Sequence, residues 1–530
     1  MKQQDGIGGE ALAKAVERAY DLGQIDYSLE PLNFEDESGK PVGSVSAGDS
    51  VIFCCRRGER EIELTDAFAD PAFTGFDRKK IDPLTFVILT MYNEKYTYLP
   101  VAFAPSRVSG TLAETLSAAG LRQLHCAESE KYAHVTFFLN GGNGSAFAGE
   151  EDVCIPSPKG VAFDTVPALS LPEVAEQVAQ GMQKGFDFIV TNFANGDVIG
   201  HTSNNAAKVE TARVVDKYLG ETLARAKAAG YTTLITADHG NLERMITPEG
   251  KPDVAHTENL VAFILVPPEG IAPAIGRNSF DPNRADGALC DVAPTVLAAL
   301  GVPQPTELSG TALFRPEKTG KVLLIILDGW GMGAEDETNP IFLAETPVWD
   351  DLLKNYPVRY LRASGEAVGL ESGKAGNSEA GHLNIGAGRV VPQDDVRLEN
   401  AMQDGSFGEN PVFVSAVEQA KQNGKAVHLF ALLTKKSSHG SIDYPLELLG
   451  LCKRMEMDNV FVHIIFDGRS TPPGSAPELL RELEETMRQI GVGMIVSGVG
   501  RGIALDRDKN WAKVKKAYDS LTLGTGARYR

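Results

Sequence analysis

The chain has little positive charge for its size. Its 530 residues include 51 Lys and Arg against 71 Asp and Glu, which gives a formal net charge of −20. Nucleic acids and anionic membranes repel such a protein on average, so the composition argues against both as partners. A small anionic substrate would need a local pocket of basic side chains.

Cysteines are few, and long apolar runs are absent. The cysteines are Cys54, Cys55, Cys126, Cys154, Cys290 and Cys452. Their spacing fits neither a zinc site nor a disulfide framework, which favours reduced thiols and a cytoplasmic location. The amino terminus lacks a signal-peptide core, and the longest apolar runs, such as Val322 to Leu327, have the length of a strand. We therefore expect no membrane span and no membrane partner.

Short apolar runs alternate with amphipathic patterns along the chain. The runs that predict strands are Phe186 to Val190, Thr232 to Thr236, Val261 to Val266, Val322 to Leu327 and Val460 to Phe466. Apolar residues at three- and four-residue spacing predict helices over Leu171 to Lys184, Lys208 to Ala229 and Ala476 to Ile490. This alternation predicts an α/β fold with largely parallel sheets flanked by helices.

Acidic and imidazole side chains follow several of the predicted strands. They are Asp328, Asp238 with His239, and Asp197 with His201; His256 comes just before another strand. The carboxyl ends of strands in an open α/β sheet face one crevice, and these side chains are ligands for divalent ions such as Mn²⁺ or Zn²⁺. Any one of them alone is more often a helix cap or a strand end. Their combination favours a metal site.

A glycine-rich turn contains a candidate nucleophile. In Gly376-Asn377-Ser378, small neighbours allow a phosphate to approach the backbone and leave the Ser378 hydroxyl accessible. An Asn-Ser turn by itself more often only reverses the chain. Together with the candidate metal ligands, the turn favours Ser378 as a nucleophile.

Several motifs together resemble one family. They are Thr232-Thr-Leu-Ile-Thr-Ala-Asp-His-Gly240, Leu327-Asp-Gly-Trp-Gly331, Gly376-Asn-Ser-Glu-Ala-Gly-His382, Glu130-Lys-Tyr-Ala-His-Val135 and Asp467-Gly-Arg469. The chain resembles the cofactor-independent phosphoglycerate mutases of the alkaline phosphatase superfamily. In that family the Asp-Gly-Trp-Gly strand opens the protein, whereas here it follows the Asp-His-Gly motif. The resemblance therefore implies a circular permutant.

The resemblance implies two α/β domains. Residues 107–393 would form an alkaline-phosphatase-like metal domain that carries Ser378, and residues 394–530 together with 1–104 would form a discontinuous substrate-binding domain. The polar, proline-bearing segment 314–321 would join the family's usual carboxyl end to its usual amino end.

The resemblance also implies a set of metal ligands and a nucleophile. One ion would be held by Asp328, Ser378, Asp238 and His239, and a second by Asp197, His201 and His256. Mn²⁺ is favoured, and Co²⁺, Zn²⁺ and Mg²⁺ are alternatives. Ser378 would carry the phosphoryl group as phosphoserine, and no 2,3-bisphosphoglycerate would be needed.

The implied substrate-binding residues are basic, with departures around them. They are His439, Arg469, Arg501, Arg507, Arg57, Arg60 and Lys131. Ser470 stands where the family has an aspartate placed against the glycerate hydroxyl, and serine cannot act as a carboxylate base. The loop beside His439 has Lys435 and Lys436 in place of its usual residues, and the expected Asn-Phe-Arg sequence reads Cys55-Arg56-Arg57 here.

The resulting functional prediction is a monomeric, metal-dependent isomerase of glycolysis. It would interconvert 3-phosphoglycerate and 2-phosphoglycerate, a small phosphorylated carboxylate. Ser470 and the altered loop keep two alternatives open. One is a phosphatase or a mutase for another small phosphorylated substrate, and the other is a catalytically silent binding protein.

Overall fold

The computed structural model describes residues 7–56, 58–105, 107–271, 280–315, 320–435, 437 and 439–530. The helices are α1 Gly9–Asp21, α2 Gly58–Ala69, α3 Leu112–Ala118, α4 Leu171–Lys184, α5 Asn195–Gly200, α6 Asn205–Ala228, α7 Val292–Leu300, α8 Pro340–Leu343, α9 Pro347–Asn355, α10 Ser378–Ala387, α11 Asp394–Asp404, α12 Pro411–Gln422, α13 Asp443–Arg454, α14 Ala476–Ile490, α15 Arg501–Ala504 and α16 Trp511–Leu523.

The strands alternate with these helices. They are β1 Leu32–Phe34, β2 Ser50–Phe53, β3 Thr85–Thr90, β4 Val101–Phe103, β5 Gln123–Glu128, β6 Glu150–Ile155, β7 Phe188–Phe193, β8 Thr232–Thr236, β9 Val261–Val266, β10 Gly287–Ala288, β11 Val322–Leu327, β12 Val358–Arg362, β13 Val427–Leu433, β14 Val460–Phe466, β15 Met494–Gly500 and β16 Ala527–Tyr529. Within the described residues, no helix is both long and apolar enough to cross a bilayer.

The chain divides into two compact units. Unit 1 consists of Met1–Pro105 with Arg397–Arg530, and unit 2 is Ser106–Val396. Each unit contains one eight-stranded sheet. The predicted α/β class, with two sheets flanked by helices, is confirmed.

Unit 2 is built on the strand order β10-β12-β9-β8-β11-β7-β5-β6. The strands from β8 to β6 in that order run parallel, whereas β9 is antiparallel to both β8 and β12. Every residue of β11 is buried, because helices cover both faces of the sheet. One continuous apolar core surrounds these strands.

Unit 1 is built on the order β16-β1-β15-β14-β13-β2-β3-β4. Its strands are parallel apart from the β1–β15 pair. Successive residues of β13 alternate between two apolar cores, one on each face: Leu429 belongs to the first and Phe430 to the second. The central strands β13 to β15 come from the carboxyl-terminal segment, and β2 to β4 come from the amino-terminal one.

The direction of the chain changes at the middle of this sheet. From β13, the chain proceeds to β14 and β15 on one side, whereas from β2 it proceeds to β3 and β4 on the other. In open α/β sheets such a switch point opens a crevice at the carboxyl ends of the strands. In unit 1 that point lies between β13 and β2.

Candidate metal and phosphoryl-transfer site

The candidate site of unit 2 lies at the carboxyl ends of four neighbouring strands. Lys131 follows β5, Asp197 follows β7, Asp328 follows β11 and Asp238 follows β8. Parallel strands bring these ends to the same edge of the sheet, as the sequence reasoning assumed. The loops are also tied together, because the Gly329 amide donates to Asp238 Oδ1 at 3.2 Å.

Two glycines allow the β7 and β11 loops to approach closely. Gly329 has a φ of +68°, and a Cβ atom there would lie 2.8 Å from the Asp197 amide nitrogen. A Cβ atom on Gly196 would lie 2.4 Å from the Asp328 carbonyl oxygen. Both contacts are shorter than van der Waals distance, so the proximity of Asp197 and Asp328 depends on these glycines.

Ser378 is the first residue of α10. The Asn377 side chain caps this helix by accepting a hydrogen bond from the Ala380 amide at 2.8 Å. Ser378 Oγ lies 2.9 Å from His239 Nε2 and donates to Asp328 Oδ1 at 3.3 Å. The structure thus places the predicted nucleophile among predicted metal ligands, at the positive end of a helix.

Lys131 lies at the centre of this group. Its ammonium donates to Asp197 Oδ2 at 2.7 Å, to Asp328 Oδ1 at 2.9 Å and to Ser378 Oγ at 2.7 Å. Burial alone would lower the pKa of Lys131, but the carboxylates of Asp328 and Asp197 raise it above its ordinary value. The family resemblance implies a substrate role for Lys131, whereas in the structure its ammonium contacts the predicted nucleophile.

His201 and His256 converge on Asp197. Each Nδ1–H donates to a backbone carbonyl at 2.8 Å, that of Val254 for His201 and that of Gly376 for His256. In the neutral rings the Nε2 atoms carry the lone pairs; they lie 3.0 Å apart, at 3.2 and 2.9 Å from Asp197 Oδ1. Two lone pairs and a carboxylate facing one point form a donor set for a divalent ion.

His239 lies between the two predicted ligand sets. Its Nε2 is 3.6 Å from Asp328 Oδ1 and 3.9 Å from Asp197 Oδ1. Two of the three groups of potential ligand atoms in the described residues belong to this cluster: Asp197 with His239 and His256, and Asp238 with Asp328 and His382. Within each group the ligand atoms lie within 4.8 Å of one another. The seven predicted metal positions are therefore neighbours in unit 2.

Three buried carboxylates, those of Asp197, Asp238 and Asp328, lie close together in this cluster. Burial and the facing carboxylate of Asp238 raise the pKa of Asp328. Burial would also raise the pKa of Asp197, but Lys131 and the imidazoles hold it well below its ordinary value. Asp238 Oδ2 is buried and has no well-formed hydrogen bond among the described residues, with His382 Nδ1 at 3.3 Å and His239 Nε2 at 3.4 Å. An orphaned carboxylate oxygen in such a cluster fits a divalent cation.

His382 and Glu243 support the cluster, and the sequence reasoning singled out neither. His382 Nδ1–H donates to the Ser378 carbonyl at 2.8 Å, and its Nε2 lies 3.0 Å from Asn192 Nδ2. With its Nδ1–H bonded to the first turn of α10, His382 positions this helix. Its spacing of four residues from Ser378, one helical turn, was a usable signal.

Glu243 ties three loops together. Its carboxylate accepts from the amides of Asn241 at 2.7 Å and Gly331 at 3.1 Å, and from the side chains of Thr257 and Asn259. Glu243 is buried, and the loops that it joins also carry the candidate metal ligands. A glutamate in a loop has no distinguishing sequence pattern, so only the fold reveals this role.

The predicted substrate residues, apart from Lys131 and Arg57, lie in unit 1. Arg501 is buried and pairs with Asp467, Arg60 donates to the Leu505 carbonyl at 3.1 Å, and Arg469 stacks over Tyr27 at 4.8 Å. Arg507 is exposed. Arg57 lies outside the described residues. His439 follows β13, and its Nδ1 lies 3.2 Å from Glu61 Oε1.

A family model described as the Metalloenzyme superfamily matches residues 24–304, more than half of the chain. The chain belongs to the Metalloenzyme superfamily. The match includes Lys131, Asp197, Asp238 and His256. Superfamily membership and the observed ligand groups together support dependence on divalent metal ions.

A second model, described as the BPG-independent PGAM N-terminus, matches residues 398–530 of this metalloenzyme. Proteins named 2,3-bisphosphoglycerate-independent phosphoglycerate mutase are similar to it. That of Cyanothece sp. is 43% identical over 289 residues, which cover 54% of each chain. That of Synechococcus elongatus is 41% identical over 315 residues, covering 59% of this chain and 58% of the relative.

The chain spans about half the length of the relatives it matches. A solved structure titled as Leishmania mexicana phosphoglycerate mutase at low cobalt concentration is 26% identical, covers 53% of each chain and gives a TM-score of 0.41.

Proposed function

We propose that this metalloenzyme is a phosphoglycerate mutase that interconverts 3-phosphoglycerate and 2-phosphoglycerate through phosphoserine at Ser378. The observation that carries the proposal is the position of Ser378 Oγ, within 2.7 Å of Lys131 Nζ and 2.9 Å of His239 Nε2. The names of the similar proteins support the same reaction.

The residues around Ser378 suit a phosphoryl acceptor. The Lys131 ammonium stabilises negative charge on the serine oxygen, and the amino end of α10 favours an anion at the same place. Divalent ions, when bound, would lower the pKa of the serine hydroxyl and neutralise phosphoryl oxygens. Asp328, Asp238, His239 and Ser378 would hold one ion, and Asp197, His201 and His256 the other.

Mn²⁺ is the preferred ion, and Co²⁺, Zn²⁺ and Mg²⁺ suit the same donors. His439 and the arginines 57, 60, 469, 501 and 507 would bind the carboxylate and phosphate of the substrate, because guanidinium groups pair with both. The cysteines within the described residues are free thiols, which supports a reducing, cytoplasmic setting. We propose a monomer.

The order of the matched segments supports circular permutation. The model described as an N-terminus matches residues 398–530, which follow the metalloenzyme match at 24–304. Segment 314–321 would then be the join; residues 316–319 lie outside those described. A gene rearranged to begin at Gly320, with residue 530 linked to residue 1, should yield a folded protein with the same metal affinity, and an insoluble product would count against the permutation.

A phosphatase is the second candidate, because Ser470 replaces the expected aspartate. Its amide donates to Asp467 Oδ2 at 2.8 Å, and its side chain supplies no carboxylate. Without proton transfer to and from glycerate, water would remove the phosphoryl group from Ser378 and release phosphate.

One assay separates the two candidates. Purified protein is incubated with 3-phosphoglycerate and Mn²⁺ while 2-phosphoglycerate and free phosphate are followed together. The mutase predicts 2-phosphoglycerate and a phosphorylated Ser378 peptide, both lost in Ser378→Ala and retained in the distant control Ser117→Ala. Phosphate without 2-phosphoglycerate would replace the mutase by the phosphatase. If neither product forms although Mn²⁺ is bound, both the mutase and the phosphatase proposals are wrong.

A further inference from the structure

A buried glutamate lies next to the predicted substrate histidine in unit 1. Glu61, in the first turns of α2, is fully buried, and its Oε1 accepts a hydrogen bond from His439 Nδ1–H at 3.2 Å. Its Oε2 is buried without a hydrogen-bond partner among the described residues. A buried carboxylate is costly unless it is paired, so this position calls for an explanation.

The bond to Glu61 fixes the state of the imidazole. Burial raises the pKa of Glu61, and the bond to His439 opposes that shift. The ionised carboxylate only accepts hydrogen bonds, so beside it the neutral ring carries its proton on Nδ1 and its lone pair on Nε2. The described residues provide no hydrogen bond to that Nε2. The His439 side chain is 12% exposed, which is enough for a small ligand to reach it. The backbone of the loop is held as well, because the Arg56 amide donates to the His439 carbonyl at 2.9 Å.

The pair lies at the switch point of the sheet. His439 is on the loop after β13, and Glu61 is on the helix after β2, the two strands between which the chain direction changes. The Asp467–Arg501 ion pair follows the next strands, β14 and β15. The carboxyl ends of strands at such a point are where open α/β sheets bind ligands.

The other candidate bases of this crevice are engaged or blocked. Asp467 accepts from Arg501 and from the Ser470 amide. Ser470 itself has no carboxylate. Burial raises the pKa of the Cys55 thiol well above its ordinary value, so it remains protonated at neutral pH. Among these groups, His439 alone combines a free lone pair with partial exposure.

We propose that Glu61 and His439 form a proton-transfer pair that replaces the missing aspartate at position 470. The inference rests on the proposed mutase function. Protonated His439 donates a proton from Nε2 to the glycerate oxygen as its bond to phosphorus breaks, while Ser378 attacks phosphorus as the alkoxide beside the Lys131 ammonium. In the second half, Nε2 takes the proton from the other hydroxyl as that oxygen bonds to phosphorus and the Ser378 oxygen leaves. Glu61 is the positioning residue, which orients the ring and stabilises the imidazolium.

Matched variants on one helix test the pair. Glu61→Gln removes the charge and keeps the shape, and Glu61→Asp restores the charge at a shorter reach. Glu63→Gln is the control, because Glu63 is also buried on α2 and bonds to the Lys509 amide at 2.7 Å. We expect Glu61→Gln to lower kcat for 3-phosphoglycerate by about 10- to 100-fold, with KM changed by less than about twofold. Glu61→Asp should recover part of kcat, and Glu63→Gln should resemble the unmodified protein.

A second substrate separates proton transfer from a structural role. p-Nitrophenyl phosphate releases p-nitrophenolate, a leaving group that needs no proton from the enzyme. Phosphoserine formation from this probe should therefore be unchanged in Glu61→Gln. Equal slowing with both substrates, a change in KM alone, or full activity of Glu61→Gln with 3-phosphoglycerate would overturn the proposal.

Imidazole NMR distinguishes failure of this proposal from failure of the mutase function. The ¹⁵N shifts of His439, assigned with His439→Asn, should show the Nδ1–H form in the unmodified protein and the Nε2–H form in Glu61→Leu. If the unmodified protein makes no 2-phosphoglycerate, the mutase function fails while the NMR result still decides the pairing. The same ring form in both proteins would refute the pairing whatever the activity.

Discussion

Lys131 is the buried cation of the candidate site. It is the cation that contacts Asp197, Asp328 and Ser378 in a buried cluster. Lys131→Met should lower the free energy of unfolding by about 3–5 kcal/mol in the presence of EDTA, because buried carboxylates lose their partner. Mn²⁺ should restore much of that loss, since it supplies the missing positive charge. Urea unfolding with and without Mn²⁺ measures both.

The matched control is Lys374→Met. Lys374 pairs with Glu371 and Asp395 at 2.9 Å, but its side chain is 43% exposed. Its loss should cost about 1 kcal/mol or less, and Mn²⁺ should not change that cost. The interpretation of Lys131 would be wrong if its replacement cost the same with and without the metal.

His463 predicts a loss of stability in acid. It lies fully inside unit 1, between His428 Nδ1 at 3.0 Å and Ser497 Oγ at 2.7 Å. Burial, together with the neighbouring His428, holds the pKa of His463 well below its ordinary value. The unfolded chain takes up this proton near pH ~6.5 and the folded protein does not, so stability should fall as the pH drops below that value.

His463→Asn removes this titrating group and should flatten the slope. The urea concentration at the unfolding midpoint is measured from pH 8 to pH 5 for the unmodified protein and for His463→Asn, and the two slopes are compared. At pH 8 the histidine is neutral in either state, so any difference there reports the lost hydrogen bonds alone. An unchanged slope would show that His463 is protonated in the folded protein.

Individual site residues were predictable where a motif contained them. The structure places all seven predicted metal positions in one cluster: the carboxylates and His239 follow strands of the sheet, His201 follows α5, Ser378 begins α10 and His256 precedes β9. Glu243 and Glu61 carry no such pattern. Their contacts join segments far apart in the chain, 378 residues in the case of Glu61 and His439. The metal and substrate roles of the residues predicted from the sequence remain predictions.

At the scale of elements, the packing of α5 determines where Asp197 lies. A methyl group at Gly196 would meet the backbone of Asp328, which cannot rotate away as a side chain can. Gly196→Ala should therefore cost about 1–3 kcal/mol and weaken Mn²⁺ binding, because α5 must shift away from the β11 loop. Thermal unfolding and metal titration test the two effects.

Gly450→Ala is the control for helix glycines in general. Gly450 lies in α13, where the nearest atom to a new Cβ would be the end of the Arg454 side chain at 3.6 Å. Alanine should stabilise that helix by about 0.5–1 kcal/mol. If Gly196→Ala behaved like this control, the close approach of α5 and β11 would not matter for the site.

Long elements with strong patterns were predicted well. The observed β8, β9, β11 and β14 and helices α4 and α14 have the predicted bounds. The strand predicted to begin at Phe186 begins at Phe188 and continues to Phe193, because it pairs over that length with β11. Short strands such as β1 and β10 could not be predicted, since two or three residues carry no periodicity and depend on their neighbours.

At the scale of the whole molecule, the two units differ in how many chain segments form them. Unit 2 is one continuous segment whose strands share a single apolar core. The sheet of unit 1 joins β2 from the amino-terminal segment to β13 from the carboxyl-terminal one. Composition and periodicity predicted the α/β class, but they could not predict this division, because strand order depends on contacts between distant segments.

The division predicts opposite behaviour of two fragments. Residues 107–396 contain a complete sheet, its covering helices and every predicted metal ligand, so this fragment should unfold cooperatively and bind Mn²⁺. Residues 1–105 contain β2 to β4 without the central strands β13 to β15, so they leave apolar faces uncovered and should remain unfolded. Circular dichroism during urea unfolding and calorimetric titration with Mn²⁺ give the comparison, with Asp238→Asn in the larger fragment as the metal-site control. A folded 1–105, or a 107–396 fragment that unfolds without a transition, would mean that the units do not correspond to independent cores.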